Sequence, residues 1–198
     1  MIINNKEDIS MNLHQLIKGR RSIAVYQDKE VSQSLIEELL ETAIWVPNHK
    51  MTEPWRFVFI QGEAKEKLAT INRQVAVSKT TSNSDEELKI VSDNAYHKIM
   101  NVPFIFFVVN TIHPQEKLRE EDYASSSCLI QNFSLLAWEQ GLSTFWKTGK
   151  LAFCEETAEL IGLKEDERVV GQIQVGYPAK NLSPVPRTSA KERITVIE

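Results

Sequence analysis

Between Ser32 and Val46 the apolar side chains return every third or fourth residue, with Leu35, Leu39, Leu40, Ala43 and Ile44 on one face. That period predicts an amphipathic helix. Ser34 and Glu37 are spaced as a capping box at its start, and Pro47 ends it. The same period, with Leu13, Leu16 and Ile17 on one face, predicts a shorter helix over Asn12–Gly19, with Asn12 as its N-cap. Two further helices are expected, over Glu63–Thr80 and from Ser84 toward Met100, the second opened by a Ser84/Glu87 capping box. Thr80-Thr81-Ser82-Asn83 between them reads as a loop. Arg56–Gln61, Ser143–Trp146 and Val169–Val175 read as strands, and Phe104–Asn110, apolar on both sides of the alternation, as a central strand.

A long helix is expected over Asp122–Gln140, closed by Gly141. It is apolar nearly all round, which predicts burial, Cys128 included. Its small residues, Ala124 to Cys128, also suit close approach of a second helix at a subunit interface. Glu155–Ile161 reads as a helix closed by Gly162. Pro184 and Pro186 keep the tail from being helical there, and Ile194–Ile197 reads as a last strand in need of a neighbour.

Helices outnumber strands, and the strands do not simply alternate with them, so the class is α+β. A chain of 198 residues suits one domain, taken as residues 11–198 after a loose polar extension, 1–10. That extension lacks the apolar core of a signal peptide. The longest apolar run, Phe104–Val109, is too short to span a bilayer. The cytoplasm is therefore the expected location, with no membrane partner. A net charge of −4 argues against a general nucleic-acid binder. Cys128 and Cys154 are too few for a disulfide framework, and reduced thiols are expected.

Several chemistries lack their usual carriers. The seven glycines form no dinucleotide fingerprint and no P-loop. There is no GxSxG elbow. The four histidines show no metal-ligand spacing, so no metal site is expected.

Three clusters remain. Arg20-Arg21-Ser22 follows the stop of the first helix. Two forked guanidiniums and a hydroxyl suit a phosphate, although an arginine pair at a helix C-terminus is more often a solvated cap. Trp45-Val46-Pro47-Asn48-His49 and Pro54-Trp55-Arg56 read either as a proline-punctuated loop with packed tryptophans or as a flat wall for a planar cofactor. Trp146-Lys147-Thr148-Gly149 comes after a strand, and Lys147 reads either as a third cation near a phosphate or, more often for such a tetrapeptide alone, as one more surface lysine.

In their order and spacing these clusters resemble the FMN-dependent nitroreductase family, most of all its shorter YdjA-like branch. Arg20-Arg21-Ser22, Pro47-Asn48-His49, Pro54-Trp55 and Trp146-Lys147-Thr148-Gly149 stand for that branch's RRS, PDH, PW and WRSG segments. The likeness runs from Met11 into the tail. It departs at Ala24, where many members carry a basic residue, at Asn48 for Asp, and at Lys147 for Arg.

The resemblance implies a nitroreductase-like fold, with a mostly antiparallel central sheet flanked by helices, in an obligate homodimer with exchanged C-terminal arms. It implies FMN at the dimer interface, held by Arg20, Arg21, Ser22, Trp146, Lys147 and Thr148, with Trp45 and His49 reaching in from the other subunit. Hydride would pass from NAD(P)H through flavin N5 to a small acceptor, such as a nitroaromatic or quinone, by ping-pong kinetics. No catalytic acid or base from the protein is required. The alternatives are a flavin-binding redox sensor or storage protein without efficient turnover, and a structural dimer with no cofactor. Residues 72–98 are the expected cover of the flavin.

Overall fold

The computed structural model describes residues 12–82 and 84–198. The extension expected over 1–10, and Asn83 of the expected loop, lie outside the described residues. Asn12 caps the first helix, α1 (Leu13–Gly19), through a reciprocal pair: its side chain takes the Gln15 N–H at 3.0 Å, and the Gln15 side chain takes the Asn12 N–H at 2.9 Å. Helix α2 (Gln33–Ala43) is capped by Ser32, not by a Ser34/Glu37 box. Ser32 holds the extended conformation a cap needs, and its hydroxyl takes the Leu35 N–H at 3.3 Å. Ser34 therefore lies inside the helix, and the Glu37 carboxylate instead accepts from the Gln33 side chain.

Four strands follow: β1 (Trp55–Ile60), β2 (Phe104–Thr111), β3 (Ser143–Lys147) and β4 (Glu167–Gly176). They form one sheet in the order β1-β2-β4-β3, antiparallel throughout. Helices α3 (Gly62–Val77) and α4 (Asp85–Met100) pair between β1 and β2. The Ser84 hydroxyl caps α4 by accepting from the Glu87 N–H, but the reciprocal half of the box is missing. The Ser84 N–H goes to the Ser82 hydroxyl, which itself donates to the Glu87 carboxylate.

Helix α5 (Glu116–Glu139) begins a turn and a half earlier than its apolar run, because Leu118 is already buried. Short helices α6 (Lys150–Phe153) and α7 (Glu155–Leu160) lead into β4. α6 carries too few residues for its period to show in the sequence.

β2 separates two cores. Its Phe104, Phe106 and Val108 pack with Leu129, Ile130, Phe133 and Ala137 of α5 and with Ile36, Leu39 and Leu40 of α2. The alternate Ile105, Phe107 and Val109 pack with Leu68, Ala69, Ile99, Ala152 and Ile161 on the other side. Phe106 and Phe133 meet edge to face at 5.1 Å, and each such buried ring contributes roughly 1.5–3 kcal/mol. The expectation of a strand buried on both faces is met.

A further expectation fails. Cys128 is exposed, not buried. α5 turns Ser125, Ser126, Leu129, Ile130 and Phe133 inward, and the stripe of Ala124, Cys128 and Gln131 lies on its outer side. Ile194–Ile197 joins no strand, and Ile194, Val196 and Ile197 are exposed. Extended backbone needs a partner for its N–H and C=O groups, and among the described residues of this chain the segment pairs with none.

One ion pair ties the sheet together across its strands. Arg56 of β1 reaches over β2 to Glu167, with N–O distances of 2.7 and 2.6 Å, and also donates to the Gly162 carbonyl. The Arg56 hydrogen bond, helped by the Lys164 N–H, holds the Glu167 carboxyl down to about 2, against the desolvation that opposes it. A depressed carboxylate stabilises the fold above its ordinary value near ~4.3, and that stabilisation is lost as pH falls toward the depressed value. We therefore expect acid denaturation to include a component titrating between about pH 4.5 and 2. In Glu167→Gln, chemical denaturation at a series of pH values should show lower stability at neutral pH and a flatter decline below pH ~4.5. Parallel pH profiles in the two proteins would refute this.

Candidate functional site

The arginine pair is built where α1 ends. Arg20 is its C-cap, with its N–H on the Leu16 carbonyl at 2.9 Å, and the chain then turns extended. Ser22 bridges to Thr144 of β3 in parallel fashion, and the Ile23 N–H donates to the Thr144 carbonyl at 3.3 Å. The segment continues along the sheet's end, with the Gln27 N–H on the Tyr177 carbonyl and the Ala179 N–H on the Val25 carbonyl. Arg20-Arg21-Ser22 and the Trp146-Lys147-Thr148 end of β3 are thus on neighbouring extended segments.

The guanidiniums are poorly matched within the chain. The Nε atoms of Arg20 and Arg21 are buried and have no hydrogen-bond partner among the described residues. Arg21 spends one N–H on the Arg20 carbonyl at 2.5 Å. Burial, then the charge of Arg21, then that of Arg187 hold the Arg20 pKa below the usual arginine value. Arginine does not give up its proton under such pressure. Three positive groups are therefore gathered with no carboxylate paired to them among the described residues, an arrangement that fits a phosphate. Sequence reasoning missed Arg187. The signal available was an arginine directly after Pro184-Val185-Pro186, ahead of the short 3₁₀ helix Ala190–Arg193.

Lys147 and Trp146 are separated by the alternation of β3. Trp146 turns toward the α5 side, where its indole N–H donates to the Val170 carbonyl at 3.2 Å. The ring lies over Gly171, where an added Cβ would stand 2.0 Å from Trp146 Nε1. Lys147 turns the other way, with Nζ 4.4 Å from the Phe145 ring centre. It lines a cavity of about 360 Å³ with Ala24, Asn72, Lys98, Gln172 and Gln174 among its neighbours. Gln172 and Gln174 were also missed, although two glutamines at alternate positions of a core strand were a legible oddity. Thr148 is exposed.

Trp45 and His49 line neither that cavity nor the arginine cluster of the same chain. Trp45 is 85% exposed, at a groove of about 340 Å³ between α1, α2 and α5 that Leu13, Leu16, Leu135 and Leu136 also line. His49 is exposed in a 3₁₀ turn (His49–Met51). The loop carrying it is strained: Lys50, Met51 and Glu53 all have positive φ, at 57°, 50° and 42°. Polar side chains, the buried Asp122 and Ser125 among them, hold it there. Asn48 takes the Glu53 N–H at 2.8 Å and donates to the Thr52 hydroxyl. Thr52 donates to Asp122 at 2.6 Å, and Ser125 donates to the Pro47 carbonyl at 2.7 Å. Strain of this kind persists only where its surroundings over-determine it, and such places concentrate at functional sites.

A model of the family described as the nitroreductase family matches residues 17–177. The chain belongs to that family. It is 37% identical over 183 residues to the Bacillus subtilis protein named "Putative NAD(P)H nitroreductase YfhC", covering 92% of this chain and 93% of that one. The Escherichia coli K12 protein of the same designation, YdjA, is 26% identical over 169 residues, 85% and 89% of the two chains. A crystal structure of a nitroreductase-like family protein from Bacillus cereus superposes with a TM-score of 0.81 at 35% identity, over 95% and 97% of the chains. The FMN- and NADPH-dependent nitroreductase NfnB from a sphigopyxis strain shares the fold, with a TM-score of 0.74 at 16% identity over 95% and 100%.

The nitroreductase-like α+β fold, its antiparallel sheet and membership among oxidoreductases are thereby established. No helix among the described residues is long and apolar enough to cross a membrane.

The loop anchor yields a prediction. Asp122→Ala should release Thr52 and the strained backbone, at a cost of roughly 1–3 kcal/mol. Hydrogen exchange should then accelerate at the Glu53 amide while the β2 amides stay protected; unchanged exchange at Glu53 would count against the anchoring role.

Proposed function

We propose that this nitroreductase-family chain is an NAD(P)H-dependent FMN oxidoreductase that reduces a small acceptor, such as a nitroaromatic or a quinone. The observation that carries the reading is the pair of buried, unpartnered arginine Nε atoms beside Arg187. A phosphate carrying nearly two negative charges would answer all three cations, and burial of such an anion is tolerable only with cations already in place. Arg20, Arg21 and Arg187 would hold the phosphate, with Ser22 and Thr148 offering hydroxyls. Lys147 would approach from the cavity side of β3. Bound FMN supplies the two-electron chemistry. The protein's part is then to bind, orient and exclude water, and the absence of a triad or dyad from the sequence agrees with that division. Donor and acceptor would use one opening in turn, which is ping-pong kinetics.

The active form in this reading is a homodimer. Leu13 and Trp45 stand exposed at an apolar groove beside α5, Ile17 is exposed on α1, and the outer side of α5 carries the small Ala124 and Cys128. A second copy covering this face would bring its Trp45 and His49 to the first copy's cofactor. The exposed Ile194, Val196 and Ile197 would find, on the partner, the strand neighbour they lack at home. On its other edge β1 is unpaired and carries the half-buried Trp55, Phe57 and Phe59.

In Arg20→Ala, loss of a charge-assisted contact worth roughly 1.5–3 kcal/mol should weaken FMN binding by about ten- to a hundredfold with little change in folding. Flavin fluorescence titration and a thermal melt measure the two effects, and equal flavin affinity in mutant and parent would refute the phosphate site. A chain ending at Lys180 should sediment as a monomer at micromolar concentration, whereas Arg187→Ala in the full chain should lose flavin and stay dimeric. A truncated chain that remains dimeric would refute the exchanged arm. Purified protein that oxidises NADPH steadily with menadione satisfies the enzymatic reading. Bound flavin that stays yellow with NADH or NADPH under anaerobic conditions would favour the sensor.

A further inference from the structure

From Lys180 to Glu198 every residue is exposed. Among the described residues, the hydrogen bonds of this arm join it only to itself. The Arg187 guanidinium donates to the Val185 carbonyl at 2.8 Å, the Lys191 N–H to the Ser189 hydroxyl at 3.3 Å, and the Glu192 N–H to the Ser189 carbonyl at 3.1 Å. Neither salt bridge among the described residues includes the arm. Its last backbone bond to the body of the fold lies just before it, where the Ala179 N–H meets the Val25 carbonyl at 3.0 Å.

The arm has two parts. Arg187 stands close enough to Arg20 for its charge to act there, although both are positive and the buried Nε atoms of Arg20 and Arg21 have no acceptor among the described residues. After the 3₁₀ turn Ala190–Arg193 come Ile194, Val196 and Ile197, exposed and unpaired. Within one copy no hydrogen bond or ion pair among the described residues fixes this segment, and like charge opposes it where it passes Arg20. Two outside partners would reverse that balance: an anion among the guanidiniums, and a strand neighbour for the apolar end.

We propose that the arm links cofactor loading to subunit assembly: an anion held by Arg20, Arg21 and Arg187 seats the first part of the arm, and the seated arm delivers its apolar end to a second copy. The proposal rests on the flavin oxidoreductase and exchanged-arm reading above, and adds that FMN binding and dimer affinity are coupled. Such coupling is reciprocal by thermodynamic necessity. The phosphate offsets the cost of ordering the arm, a cost the second copy then does not meet. Contacts to the flavin ring from Trp45 and His49 of a second copy are common to FMN and riboflavin, so the difference between these two flavins isolates the phosphate and, through Arg187, the arm.

The test follows subunit exchange between full-length populations labelled at the N-terminus with donor and acceptor fluorophores. Exchange is measured with FMN and with riboflavin, each at a concentration that saturates binding by fluorescence titration. It should be about tenfold slower with FMN, within the range of roughly 5–150-fold usual for coupled sites. Tryptic cleavage at Lys191 and Arg193 should slow by about the same factor, because a seated arm opens less often. In Arg187→Ala, saturated with either flavin, exchange and cleavage should be the same for both. Arg187→Lys keeps the charge and should keep a large part of the difference. FMN that binds a dimer tightly yet exchanges at the riboflavin rate overturns the linkage and leaves the oxidoreductase reading intact. An Arg187→Ala protein that still separates the two flavins overturns the arm as the coupling element. Failure to bind FMN, or to dimerise, refutes the underlying reading and the linkage with it.

Discussion

Positive charge gathered without a counter-ion among the described residues is the constraint from which this molecule is best understood. Arg20 and Arg21 are placed by the end of α1 and the bridge of Ser22 to β3, and Arg187 arrives from the tail. Guanidiniums repel one another, and a buried N–H without an acceptor costs free energy, so folding alone gives no reason for the cluster. Most protein interiors answer such a group internally, as Arg56 and Glu167 do on the same sheet. In the proposed reading, the contrast between the two arginine sites separates structural from binding chemistry.

The sheet makes the contrast possible. β4 lies between β2 and β3, so β3, the strand beside the Arg20–Ser22 segment, is anchored on an almost wholly buried strand. The alternation of β3 sends Trp146 into the core and Lys147 into the cavity, and Gly171 leaves the room the indole needs. A single dipeptide thereby joins packing to recognition. The Pro47–Glu53 loop is treated likewise, its strained backbone pinned from α5 by Asp122 and Ser125.

Apolar surface carries a second message. Leu13 and Trp45 stand exposed at one groove, and Ile194, Val196 and Ile197 are exposed near the chain's end. A contiguous exposed apolar face generally marks an interaction site. In the homodimer proposed for this family member, each exposed segment has a use on the other copy, and the cofactor site is complete only when both copies are present.

The linear sequence determined the elements whose information is local. Helical and strand periods are written in consecutive residues, so α2, α3, α4 and the doubly buried β2 were legible, as were the Asn12 cap and the α+β class. Family-specific order made Arg20-Arg21-Ser22 and Lys147 legible as site candidates. What depends on distance along the chain was not: that Arg187 joins Arg20, that Trp146 and Lys147 part company, that Gln172 and Gln174 line one cavity with Lys147, and that Cys128 lies on the outer side of α5. A period reports which residues share a face of an element, but not what that face meets. The choice between Ser32 and Ser34 as cap, the extra first turns of α5 around Leu118, and the unpaired tail were decided by tertiary packing, because burial and hydrogen-bond partners exist only once distant segments are brought together.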